Sequence, residues 1–110
     1  MSRSRAAIAS MHPLELSKED YEIYIDHQIR IMRDKSIPVQ KRMKQLIYNA
    51  GYSIDEFAEA CGVSISAVKY WTGMHKCTYP SPSVRYMNEV AKRLVLNDTA
   101  KIEFYSMYAE

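Results

Sequence analysis

The chain has 110 residues, of which 47% are hydrophobic and 25% are charged, and its formal net charge is +2. This composition is typical of one small globular domain with a modest core. No apolar run approaches the roughly 18–20 residues of a membrane span, and the apolar part of residues 1–13 is too short and broken for a secretory signal, so we expect a soluble cytoplasmic protein without a membrane partner.

Residues 1–16 are predicted to form a flexible N-terminal arm. Its basic residues Arg3 and Arg5 are candidates for minor-groove or phosphate contacts, because some DNA-binding domains use basic arms in this way. Disordered termini with a few basic residues are also common, and the sequence leaves both interpretations open.

An accessory N-terminal helix is predicted within residues 17–37, over residues 17–36. Ser17 followed by Asp20 is a capping signal, and acidic residues crowd the first turn, where the helix dipole favours them. Apolar residues recur along it at helical spacing. They are Tyr21, Tyr24, Ile25, Ile29 and Met32.

The next predicted helix covers residues 38–50. Pro38 is well tolerated in a first helical turn, and Gly51 ends the helix. One apolar stripe runs along it, formed by Val39, Met43, Leu46, Ile47 and Ala50. Its basic residues Lys41, Arg42 and Lys44 are expected to form a solvated face, with contact to phosphates as the alternative.

Residues 53–73 predict two short helices, near 54–61 and 64–73, joined by a tight turn. Ser53 with Glu56 forms a capping box, and Ser64 is a natural N-cap for the second helix. Gly62 can adopt the positive φ that the turn needs. Ala58 allows close approach of the two helices, and the surrounding apolar residues are Phe57, Cys61, Val63, Val68 and Trp71.

Two further helices are predicted after a loop whose two prolines forbid a continued helix. The first covers residues 83–96 and has an apolar face formed by Val84, Met87, Val90, Ala91 and Leu94. The second lies within residues 97–110, is capped by Asn97 or Asp98, and carries Ile102, Tyr105 and Tyr108 on one side. No segment shows strand alternation, so the sequence predicts an all-α bundle of five to six helices.

The cysteine and histidine residues do not suggest a disulfide framework or a metal site. Cys61 falls at a core position and Cys77 in a loop. His12, His27 and His75 share no ligand spacing with them. The sequence also has no Gly-rich phosphate loop, no GxSxG elbow and no Cys–His pairing with a third partner, so we expect no cofactor and no enzymatic activity.

Charge is distributed unevenly along the chain. Residues 52–63 contain three acids and no base, whereas residues 64–78 contain Lys69, His75 and Lys76 and no acid. Residues 38–51 also carry Lys41, Arg42 and Lys44. Basic groups therefore lie before and after the acidic first helix of the pair, as a surface facing phosphates would require.

Residues 38–96 resemble the DNA-binding domain of phage repressor and Cro proteins, the XRE-like family. The motifs that carry the resemblance are FAEACGV, the Val68-x-x-Trp71 spacing, Pro80 after the loop, and EVAKRL at 89–94. The resemblance implies a helix-turn-helix within the bundle, whose second helix enters the major groove of double-stranded DNA.

The resemblance also implies which residues touch DNA. In the family, the second helix of the motif reads base edges, and the first helix N-terminus and the following loop hold phosphates. Carried onto this chain, the base contacts are Ile65, Ser66, Lys69 and Tyr70, and the backbone contacts are Ser53, Ser64, His75 and Lys76.

Three features depart from the family pattern. Ile54 stands where the family often has Gln, and Thr72 stands where it often has Glu. The groove-facing set lacks Arg, Asn and Gln, the strongest bidentate readers of guanine and adenine, so recognition would depend on Lys69, hydroxyl groups, Ile65 against thymine methyl groups, and DNA shape. Ile65 is equally compatible with a core position, whereas Trp71 is expected in the core.

The function predicted from these features is a transcriptional regulator, most simply a repressor that occludes its operator as a homodimer. In the family, dimers usually form through elements after the motif, so residues 98–109 are the first choice for the interface and residues 17–36 the second. The first choice would use Ile102, Phe104, Tyr105 and Tyr108. The alternatives are a protein-interaction module, such as an antitoxin-like partner, and a DNA-binding subunit of a recombination or replication complex.

Overall fold

A computed structural model describes residues 13–76 and 81–109 of the chain. The predictions for Arg3, Arg5, His12, Cys77 and Pro80 lie outside the described residues. Within the described part, a 3₁₀ turn at Pro13–Glu15 precedes six α-helices, and no strand is present. The helices are α1 (Lys18–Arg33), α2 (Val39–Asn49), α3 (Ile54–Cys61), α4 (Ile65–Trp71), α5 (Val84–Arg93) and α6 (Asp98–Tyr108).

The all-α prediction is thus confirmed, and each predicted helix is present within a few residues of its expected limits. Helices α1, α4 and α5 end two or three residues earlier than expected. The end of α5 has a clear cause, because Val95 has a φ of 54°, in the left-handed region that a helix cannot continue through. None of the described helices is long and apolar enough to cross a membrane.

Local capping signals are confirmed at the α3–α4 connection. The Ser53 hydroxyl accepts a hydrogen bond from the Glu56 amide, and the Glu56 carboxylate accepts one from the Ser53 amide, each at 3.1 Å. Gly62 has a φ of 69°, and the Ser64 hydroxyl accepts from the Ala67 amide at 3.1 Å. These bonds satisfy amides that a helix N-terminus otherwise leaves open.

The core joins two groups of helices through α2. On one side, α1 packs against α2 and α6, and on the other, α3 packs against α4 and α5, while α2 also contacts α3 and α4. The largest fully buried apolar side chains come from both groups. They include Met32, Met43, Leu46, Ile47, Phe57, Val68, Val90, Leu94 and Phe104.

The tyrosines of α1 have a role that periodicity alone did not predict. Tyr24 donates a hydrogen bond to the Leu94 carbonyl at 2.6 Å, and Tyr21 donates to the Val95 carbonyl at 2.5 Å. Both carbonyls lie where α5 ends, so the two hydroxyl groups satisfy acceptors that the helix terminus leaves open. Burial raises the pKa of Tyr24 far above its usual range, which keeps this donor protonated.

Gln28 extends the same polar network to α2. Its side-chain amide is fully buried and donates to the Tyr24 hydroxyl at 2.9 Å and to the Leu46 carbonyl at 3.1 Å. Its carbonyl oxygen accepts from the Asn49 side chain at 3.1 Å. A buried amide with these partners fixes the position of α1 on α2, because an unsatisfied one would be costly.

The expectation of a solvated face at Arg42 is wrong. Arg42 is only 2% exposed, and its guanidinium donates to the Met32 carbonyl at 2.8 Å and to the Ile37 carbonyl at 2.7 Å. These acceptors lie in the last turn of α1 and in the segment that follows, where a positive charge also complements the helix dipole. Of its neighbours, Lys41 is exposed and Lys44 is partly exposed.

The predicted apolar side of α6 is wrong for Ile102 and Tyr105, whereas Tyr108 packs against the core. The inward side is formed by Ala100, Phe104 and Met107, whereas Ile102 is 68% exposed and Tyr105 is half-exposed. Apolar residues occur on both sides of this helix at helical spacing, so the sequence pattern did not distinguish them. Val84 of α5, expected on the apolar face, is 80% exposed.

Candidate nucleic-acid interface

Helix α4 is fixed to the rest of the domain along one side. Val68 is fully buried, and Trp71 is buried with its ring 6.1 Å from that of Tyr86. The Thr72 hydroxyl donates to the Val68 carbonyl at 2.9 Å and closes the end of the helix. The core position expected for Trp71 is therefore confirmed, and the buried side leaves the other face of α4 available.

The four residues predicted to contact bases lie together on that other face. Ile65 is 43% exposed, Tyr70 is 38% exposed and Ser66 is exposed, while Lys69 is partly buried. Their spacing along the helix places them on one side, away from Val68 and Trp71. Ile65 is therefore at the surface and not in the core.

The chain after α4 folds back onto the C-terminal end of the helix. The amides of Met74 and His75 both donate to the Lys69 carbonyl, at 2.9 and 3.3 Å. The His75 ring meets the Tyr70 ring edge to face at a centroid distance of 5.3 Å. His75 and Lys76, both exposed, consequently lie beside the outward face of α4.

The other two residues predicted to contact the DNA backbone are exposed but already used as caps. The Ser53 amide donates to the Glu56 carboxylate, which leaves only the Ser53 hydroxyl proton for another acceptor. These capping bonds lower the pKa of the Glu56 carboxyl, so a negative charge stands at this site at neutral pH. Ser64 caps α4 through its hydroxyl oxygen and likewise retains a hydroxyl proton.

An open groove of about 890 Å³ runs between α2 and the segment after α4. The sequence did not predict it, because its two walls are far apart in the chain. The only local signals were the basic residues of α2 and those after α4. Its lining residues are Pro38, Gln40, Lys41, Lys44, Gln45, Tyr48, Thr72, Gly73, Met74, His75 and Lys76.

Gly73 sets how closely the two walls of the groove approach. It has a φ of 74°, and a Cβ added there would lie 3.1 Å from the Cβ of Gln40. Both the backbone conformation and the close contact favour glycine. The base of the groove is therefore formed by direct packing of the turn after α4 on the first turn of α2.

Electrostatic polarity distinguishes the two sides of the α3–α4 pair. The described residues that line the groove include three lysines and a histidine but no carboxylate. Asp55, Glu56 and Glu59 are exposed on α3. A polyanion would accordingly be attracted to the groove beside the C-terminal end of α4 and repelled by the exposed acidic residues of α3.

The described cysteine, Cys61, is buried at the end of α3. Burial raises the pKa of the Cys61 thiol to about 11, so this cysteine is protonated at neutral pH and is a poor nucleophile. In the described part of the chain, no group of three His, Cys, Asp or Glu residues is arranged to hold a metal ion.

Comparison of the chain with protein-family models, curated proteins and solved structures finds no match. The assignment of a function consequently depends on the residues of this chain and on their arrangement.

Proposed function

We propose that the protein is a sequence-specific regulator of transcription that binds double-stranded DNA with α4 in the major groove. The observation that carries the proposal is the face formed by Ile65, Ser66, Lys69 and Tyr70 on a short helix whose opposite side is buried. In this proposal α3 and α4 act as a helix-turn-helix, with Gly62 in the turn.

The chemistry of this face suggests how bases would be read. The Lys69 ammonium donates to guanine O6 or N7, and the Ile65 side chain contacts the methyl group of thymine. The Ser66 and Tyr70 hydroxyls both donate and accept and therefore add less discrimination. His75 and Lys76, beside the C-terminal end of α4, hold phosphates and fix the position of the helix.

The proposed mechanism is operator occlusion by a homodimer. One short helix covers only a few base pairs, too few to define a site in a genome. Two copies related by a two-fold axis would read half-sites about 10 bp apart or a multiple of that spacing. A dimer seated over a promoter would block polymerase.

The surface proposed for dimerisation keeps Ile102 and Tyr105 from the one the sequence favoured and leaves out its other two residues. Phe104 and the Tyr108 hydroxyl are buried within the chain, so neither is available to a partner. The exposed large apolar residues of α5 and α6 are Val84, Ile102 and Tyr105. The Tyr105 hydroxyl donates to the Asn88 side chain, which links an exposed position of α6 to one of α5.

The same patch supports a second candidate function, an interaction module whose α5 and α6 bind a different protein. An antitoxin-like partner of this kind would use the helix-turn-helix as a scaffold. The two functions differ in their dependence on salt, because DNA binding that releases counterions weakens steeply as salt rises.

Replacing Lys69 with Ala is expected to weaken binding to the operator by about 1–3 kcal/mol and to weaken binding to random duplex much less, because a base contact is lost. Replacing Lys76 with Ala should weaken both equally and reduce the slope of log affinity against log salt by about 0.9. Titrations of both variants on the two duplexes at several salt concentrations measure this. An equal loss on both duplexes for the Lys69 variant would make Lys69 a phosphate contact.

A further inference from the structure

The groove between α2 and the segment after α4 has features that its packing role does not require. Lys41 is exposed on the α2 wall, and Lys44 lies one turn further along the same helix. Lys76 and His75 are exposed on the opposite wall. Cations thus face the same open space from two elements, and like charges repel unless an anion lies between them.

The apolar part of the lining is small and exposed. The Tyr48 ring is almost half exposed, and the Lys44 ammonium lies 5.8 Å from its centroid. Met74 is similarly exposed on the other wall. A groove with cationic walls and small apolar patches suits a sugar–phosphate chain, because its phosphates alternate with less polar sugars.

We propose that this groove holds the sugar–phosphate backbone of the DNA strand adjacent to the bases read by α4, with Lys41 and Lys44 as additional phosphate contacts. The inference rests on the proposed function and extends it, because it adds α2 to the DNA-binding surface. The strand enters the groove past His75, which touches Tyr70 of α4, so contact with bases and contact with this stretch of backbone are continuous.

The partly open shape of the groove and the absence of acid from its described lining favour an extended polyanion over a small anion. The contact between His75 at the groove and Tyr70 on the outward face of α4 favours a nucleic-acid strand as that polyanion. A small-molecule site buries most of its ligand, whereas this groove is only partly enclosed. A phosphodiester chain needs no enclosure, because each phosphate gains its binding free energy largely through counterion release.

The test is a double variant, Lys41→Gln with Lys44→Gln, compared with the control Lys92→Gln with Lys101→Gln. The control removes the same charge from exposed positions on α5 and α6. Affinity is measured against salt on a labelled mixed-sequence duplex and on the duplex that selection recovers. We expect the groove variant to reduce the slope of log affinity against log salt by about two relative to the control. In ethylation interference, ethylation of the phosphates beside the base contacts should inhibit binding of the wild type but no longer inhibit binding of the groove variant.

The outcomes separate this inference from the function on which it rests. A wild-type protein that selects no duplex overturns both. A wild type that binds its selected duplex, together with a groove variant whose slope equals that of the control, overturns only the role of the groove. Lys41, Lys92 and Lys101 are exposed and Lys44 is partly exposed. Melting temperatures within a few degrees of wild type would show that the variants are folded.

Discussion

Replacing Arg42 with Met is expected to lower the free energy of unfolding by about 2–4 kcal/mol, because one buried and one partly buried carbonyl oxygen lose a charged donor. Those carbonyls belong to Met32 and Ile37, so the loss falls on the junction between α1 and α2. Met retains much of the apolar stem, which confines the change to the guanidinium. Urea unfolding monitored by circular dichroism measures it.

The matched control for this prediction is Lys41→Met. Lys41 is the preceding residue on α2 but is exposed, and its replacement should change stability by less than about 0.5 kcal/mol. Equal effects of the two substitutions would contradict the role given to Arg42, because the loss would then follow from removing any positive charge on α2.

Replacing both Val84 and Ile102 with Glu is expected to produce monomers and to weaken operator binding on the order of 10³-fold or more, towards the level of non-specific binding. A monomer loses the coupling of two half-sites, and charges at an apolar interface are costly to desolvate. Both positions are strongly exposed, so the fold of the monomer should be retained. Analytical ultracentrifugation and operator titration at matched concentrations measure the two effects.

Ile23→Glu is the control for the dimer, because Ile23 is also exposed but lies on α1. This variant should remain dimeric and bind normally. A dimer that survives in the Val84 and Ile102 variant but dissociates in the Ile23 variant would move the interface to α1. A wild type that is monomeric both free and on DNA would remove operator occlusion by a homodimer.

The features that the sequence predicted correctly are encoded by residues close together in the chain. The capping box of Ser53 and Glu56 and the left-handed turn at Gly62 each need only a few neighbouring residues. Their geometry follows from backbone sterics and from the open amides at a helix start. Helix identity and approximate limits could therefore be read without knowing the tertiary contacts.

The features that could not be predicted from the sequence depend on partners distant in the chain. Arg42 looked like a member of a basic face because its acceptors, the carbonyls of Met32 and Ile37, give no sign in the sequence. Tyr24 fits a helical apolar stripe, but its hydroxyl binds the Leu94 carbonyl, 70 positions away. An uncapped carbonyl at a helix end can be satisfied from anywhere in the fold.

The candidate site shows the same division. The outward face of α4 could be predicted because Val68 and Trp71 define the buried side of a short helix, and Lys69 and Tyr70 then fall opposite. The groove could not be predicted from the sequence, because it forms only where α2 packs against the turn at Gly73. The face of α6 was ambiguous since both Ile102 and Phe104 belong to helical stripes, and only packing on α1 distinguishes them.

Selection of bound sequences from a pool of random duplex DNA tests the central claim most directly. We predict enrichment of a sequence with two related half-sites about 10 bp apart, or a multiple of that spacing. The purified protein should bind this duplex at least about 10³-fold more tightly than random DNA, with an affinity that falls steeply as salt rises. A pool that stays random after repeated rounds, from folded protein at low salt, would contradict sequence-specific DNA binding through α4.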